Sequence, residues 1–206
     1  MSKTFGCLFI TLLTLISLRS EAKPHMVAEV GRLSCLEKTT PSSKFFSDLS
    51  ITLSNANKTE QSFIADTFET IIRMTNQQQA ERLLSGLKIK IQNTLGDRSS
   101  GGCLPAHQLV RNEIHLARKC EKIGEIPFRE GIFVHELGHF IANKLNLYNK
   151  YQNEVLKRCK LTNYMSKSRA GKKHKNRNEE FAEIFAAYLL YGKELKSKCK
   201  HSYEFI

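Results

Sequence analysis

The apolar positions of this chain fall into one continuous run near the N-terminus and a series of periodic segments after it. The run Phe5 to Leu18 (FGCLFITLLTLISL) follows Lys3 and precedes the small-x-small triplet Ser20-Glu21-Ala22. It is too short to span a bilayer, and its flanks predict a cleaved secretory signal peptide over residues 1–22, leaving 23–206 as a single mature domain. Residues 26–37 carry Val27, Val30 and Leu33 at helical spacing. Residues 45–53, with Phe45, Leu49, Ile51 and Leu53, read as a strand with one wet face. The longest helical pattern runs over 60–84, with Phe63, Ile64, Phe68, Ile71 and Ile72 on one side, a break near Asn76 and a stop at Gly86. Leu87, Ile89 and Ile91 alternate as a strand, and so do Ile114 and Leu116 after the turn-rich Ser99-Ser100-Gly101-Gly102. Helical spacing returns from Ile126 to Leu145, then over 151–159 and 178–191, with the basic stretch 165–177 expected as a loop. The order of elements predicts an α+β fold, and no internal repeat divides it.

Composition narrows the class. The chain has 206 residues, 41% of them hydrophobic, and a mean hydropathy of −0.36, which excludes a disordered chain and a multi-span membrane protein. Lys and Arg number 32 against 20 Asp and Glu, a formal charge of +12. Losing Lys3, Arg19 and Glu21 with the signal peptide removes two positives and one negative and leaves +11. Such a surface favours an acidic peptide substrate or an anionic cell-envelope surface. No helix-turn-helix or finger spacing points to nucleic acid, and no stable membrane span is expected. Five cysteines survive cleavage, Cys35, Cys103, Cys120, Cys159 and Cys199, with no CxxC pair among them. In an oxidising compartment they allow two disulfides and one leftover thiol, and the pairing stays open.

The chemistry sits at His135-Glu136-Leu137-Gly138-His139, an HExxH motif in a predicted helix. Histidines at i and i+4 share a face and can reach one ion, and the glutamate beside the first can act on water at that ion. A catalytic zinc needs a third protein ligand. The metzincin pattern fails because Ala142 and Leu145 stand where its glycine and histidine would be. Glu179 and Glu183, again i and i+4, supply an alternative: Glu179 as ligand and Glu183 as hydrogen-bond acceptor for the far nitrogen of a ligand histidine. Glu179 and Glu180 also fit a plain acidic helix N-terminus, a reading that leaves Glu183 unexplained.

HELGH followed by NEEFAEIFAAYL resembles the gluzincin metallopeptidases, most closely the catalytic domain of anthrax lethal factor and the Pro-Pro endopeptidases. The likeness covers about 112–191. It implies a zincin-like fold, with a small mixed sheet whose edge strand borders an active-site helix and with a C-terminal helix bearing the third ligand. It implies Zn²⁺ on His135, His139 and Glu179, Glu136 as general base and Glu183 behind a ligand histidine. A tyrosine that stabilises the tetrahedral intermediate falls on Tyr164, with Tyr148 and Tyr151 as rivals. Tyr164 lies further upstream of Glu179 than the family spacing, so the basic stretch around Lys172 to Lys175 reads as an insertion that would face an incoming substrate. Ile114 and Leu116 fit the edge strand, and His115 reads as an exposed strand residue without a catalytic role. The expected function is an exported zinc endopeptidase. The alternative is a basic envelope-binding or toxin-like module that keeps the fold without proteolysis.

Overall fold

The computed structural model of the chain describes residues 43–94, 106–110, 112–120, 124–125, 130–155, 159 and 173–206. The signal-peptide segment, the helix expected over 26–37, Cys35, Cys103, Tyr164 and Lys172 lie outside the described residues. In chain order the elements are α1 (Ser43–Asp48), β1 (Thr52–Ser54), α2 (Lys58–Met74), α3 (Gln77–Leu84), β2 (Lys88–Thr94), β3 (Ala106–Val110), β4 (Glu113–Cys120), β5 (Gly124–Glu125), α4 (Glu130–Lys144), α5 (Tyr148–Glu154), α6 (Lys173–Lys198) and α7 (Lys200–Phe205). The fold is mixed α+β and mostly helical. The sheet runs β1-β2-β4-β3: the first three of these pair in parallel, β3 adds to β4 antiparallel, and β5 pairs with the far end of β4. No helix among the described residues is long and apolar enough to cross a membrane.

Local chemistry accounts for most boundaries. Asn57 and Glu60 form a reciprocal capping box that starts α2. At its end Thr75 closes the helix and Asn76 caps α3, which is the break the sequence predicts. Gly86, at φ 80°, turns the chain from α3 into β2. The Glu60 carboxylate also receives two hydrogen bonds from Arg118 on β4, at 2.7 and 2.8 Å, so one side chain fixes both the start of α2 and its seat on the sheet.

Five expectations need correcting. Residues 45–53 are not one strand: Phe46 is buried from α1 and Leu49 from the turn after it, Ser50 turns the chain at φ 53°, and only Thr52–Ser54 pairs with β2. The sparse apolar pattern fits a short helical turn as well as an alternation. The strand bearing Ile114 and Leu116 is internal, held by β2 on one side and β3 on the other, and the edge beside α4 is β3, whose AHQLV carries too few apolar residues to announce itself. His115 is buried instead of exposed, because the Gln92 amide at 2.8 Å and Glu113 at 3.4 Å satisfy both ring nitrogens. The basic stretch is helical from Lys173 onward, continuous with the packed helix behind it, and Arg177 turns to α5, where it donates to Asn149 and Gln152. The helix expected over 151–159 starts earlier and ends at Glu154.

The core places α4 at the centre. Phe133, two residues before His135, meets Phe63 and Phe68 of α2 edge-on at 5.7 and 5.9 Å. Phe181 of α6 sits within 6.0 Å of the Tyr148 ring and 5.5 Å of the Tyr151 ring. A disulfide joins Cys159 to Cys199, one of the pairings the sequence leaves open, and ties the chain beyond α5 to the junction of α6 and α7. At Gly138 α4 comes close against α6: a Cβ there would stand 3.0 Å from the Ala182 Cα and 3.2 Å from the Phe185 side chain. Alanine at 138 gains helix propensity of about 1 kcal/mol, but it must push a helix backbone away, at a cost of about 1–3 kcal/mol. Gly138→Ala is therefore expected to lower the denaturant midpoint and to loosen the site flanking Ala182. An unchanged midpoint would mean that α6 shifts freely.

Candidate metal centre

The contact at Gly138 decides what faces what. Glu179 and Glu183 lie on α6 on either side of Ala182, and His135 and His139 lie on α4 on either side of Gly138. Closing the two backbones on each other leaves the four side chains nowhere to go but toward one another. The Nε2 atoms of His135 and His139 stand 3.2 and 3.4 Å from the same atom, Glu179 Oε2. One donor atom from each of these three residues lies within 4.8 Å of the others, so His135, His139 and Glu179 could hold a metal ion. Two donors each about 2.0–2.1 Å from a tetrahedral ion stand about 3.3 Å apart, which is the separation found here.

The outward ring nitrogens are also engaged. Glu183 Oε1 lies 2.8 Å from His135 Nδ1 and is fully buried. The Tyr148 hydroxyl lies 3.0 Å from His139 Nδ1 and 3.4 Å from the His139 carbonyl oxygen. The side chain of His135 is 3% exposed against 33% for Glu179, so the cluster opens to solvent on its carboxylate side. Glu136, half-buried on the same helix, is close enough for its charge to act on both His135 and Tyr148.

Of the residues singled out in the sequence, His135, His139, Glu179 and Glu183 are brought together, Glu136 lies beside them, and Tyr164 lies outside the described residues. Neither rival tyrosine has an idle hydroxyl: Tyr148 is turned to His139, and Tyr151 donates to Glu180 Oε1 at 3.0 Å. Glu180 is buried in that bond, not an exposed acid of a first helical turn, since α6 begins at Lys173. The partnership of Tyr148 with His139 is the contact that sequence reasoning missed. It crosses a helix-turn-helix whose angle no spacing rule supplies. Comparison with protein-family models, curated proteins and solved structures finds no match, so the gluzincin likeness rests on the residues themselves.

Burial alone would push the His135 imidazole down, but its hydrogen bonds to Glu179 and Glu183, and the nearby carboxylate charges, raise it to about 10. Burial would raise Glu179, yet the two imidazoles hold it well below the usual carboxylate range. Burial, then the Glu179 and Glu136 charges, raise Tyr148 and keep its phenol protonated. The folded value of His135 exceeds the ordinary 6.5, so its proton stabilises the metal-free protein fully below about pH 6.5, and that contribution disappears as pH rises through about 10. Chelator-treated protein should melt at falling temperatures between pH 7 and 10, and Glu183→Gln should flatten the slope. Equal melting across the range would show that His135 carries no such proton.

Proposed function

We propose that the chain is an exported zinc-dependent endopeptidase with a zincin-like arrangement. The observation that carries this reading is the convergence of two imidazole Nε2 atoms on one carboxylate oxygen, with a further glutamate, Glu136, next to the first histidine. The donor set fits: two neutral nitrogens and one carboxylate are a catalytic zinc set, whereas structural sites close all four positions with protein ligands. The opening on the Glu179 side leaves room for a substrate group. A site for structure alone would have no use for Glu136.

When bound, zinc acts as a Lewis acid that lowers the pKa of water and polarises a carbonyl. His135, His139 and Glu179 would hold the ion. Glu183 keeps the proton of His135 on Nδ1 and so frees the Nε2 lone pair. The Glu136 carboxylate takes a proton from the attacking water and passes it to the leaving amine nitrogen. The cationic surface, +11 after loss of the signal peptide, suits acidic substrates or an anionic envelope.

Purified mature protein should carry about one zinc per chain, and His139→Ala or Glu179→Ala should lose most of it. Glu136→Gln should keep metal and fold while losing at least ~100-fold of the activity in a peptide-library digestion read by mass spectrometry. Full zinc in Glu179→Ala would overturn the ligand assignment. Wild-type protein that holds zinc and cuts nothing would favour the envelope-binding module instead.

A further inference from the structure

The two histidines of the cluster are backed by chemically different partners. Behind His135 stands a buried carboxylate, Glu183, at 2.8 Å. Behind His139 stands a phenol, Tyr148, and its hydroxyl has two contacts on the same residue: the Nδ1 ring nitrogen at 3.0 Å and the backbone carbonyl oxygen at 3.4 Å. A carbonyl can only accept, whereas Nδ1 donates or accepts according to the tautomer, so both contacts are hydrogen bonds at once only when the hydroxyl hydrogen goes to the carbonyl oxygen. In that arrangement the phenol oxygen accepts from the ring, which presents Nδ1–H to it. This closes a small circuit in which the backbone of His139 fixes the hydroxyl and the hydroxyl fixes the tautomer of the His139 ring.

We infer that Tyr148 is a positioning residue for metal capture: it holds His139 as the Nδ1–H tautomer, so that the Nε2 lone pair faces Glu179 Oε2 before any ion arrives. The inference rests on the metal-site reading above and adds a residue to it. Three observations support the role. Tyr148 is 9% exposed and its ring packs edge-on against Phe181, so the hydroxyl has little freedom to swing. Its neighbour one turn along α5, Tyr151, is anchored to α6 through Glu180, which fixes the face that Tyr148 presents. The circuit also commits the one hydroxyl hydrogen to the His139 carbonyl, which removes Tyr148 from the oxyanion-donor role.

The test compares Tyr148→Phe with Tyr151→Phe, each of which loses one hydroxyl from α5 and keeps its ring. Zinc affinity is measured by competition with a chromophoric chelator, the visible spectrum of the cobalt-substituted protein is recorded, and the His139 ring nitrogens are followed by NMR in the metal-free protein. Tyr148→Phe should fold, bind zinc about 10–100-fold more weakly, change the cobalt spectrum and mix the His139 tautomers. Tyr151→Phe, which loosens the anchor of α5 but keeps the Tyr148 hydroxyl, should lower stability and weaken zinc binding by a smaller factor, with the His139 tautomer still single. Equal zinc affinity and an unmixed tautomer in Tyr148→Phe, with wild type binding zinc, would overturn the positioning role alone. If Tyr148→Phe fails to fold, a wild-type His139 ring that already mixes tautomers overturns the role, and a single Nδ1–H tautomer upholds it. Wild-type protein that binds no zinc would instead overturn the metal site on which it stands.

Discussion

Two imidazole nitrogens, all but touching one carboxylate oxygen at 3.2 and 3.4 Å and able like it to offer lone pairs, cannot sit together in a half-dry cleft unless a proton or a cation lies among them. Without an ion the cluster holds a proton on His135, which is why that ring stays charged against its own burial. A cation of the right size would replace the proton and satisfy all three donors together. The contact between α4 and α6 is thus polar at its centre and apolar around it. Its stability is tied to whatever occupies that centre.

The surrounding core makes the arrangement rigid. Phe133 locks α4 to α2 two residues ahead of His135, and Phe181 locks α6 to α5 two residues beyond Glu179. The helix carrying the histidines and the helix carrying the acids are each pinned on the far side by aromatic contacts, and Gly138 lets them meet. The disulfide from Cys159 to Cys199 adds a covalent tie where α6 meets α7. A site assembled from two rigid helices keeps its donors aligned better than one built on loops.

Much of this was legible in the sequence because helical spacing maps directly onto a shared face. His135 and His139, and Glu179 and Glu183, are each one turn apart, and both pairs meet as that geometry demands. The breaks at Asn76 and Gly86 were legible for the same reason, since caps and left-handed turns have their own residue chemistry. What spacing could not show is which elements lie beside each other. Ile114 and Leu116 alternate like any half-buried strand, and only pairing on both flanks makes β4 internal and moves the edge to β3. His115 looked exposed because its partners, Gln92 across the ladder and Glu113 two residues before it, enter only through the sheet register.

Three acids cluster at 179, 180 and 183, and helix geometry gives them different fates. Successive residues turn by about 100°, so 179 and 183 differ by about 40°, while 180 is turned about 100° from 179 and about 60° from 183, to the other side of Glu183. Glu179 and Glu183 therefore face α4, and Glu180 faces α5, where the Tyr151 hydroxyl meets it in a buried bond. Burying a carboxylate there is costly unless it is bonded, so α5 is held in the register that satisfies it. Tyr148 lies three residues before Tyr151 and shares its face of the helix. Anchoring Tyr151 to Glu180 thus delivers the Tyr148 hydroxyl to His139. Arg177, donating to Asn149 and Gln152, fastens the same helix pair from the outside. The acid that looks least involved in the candidate site, Glu180, sets the position of the helix that completes it.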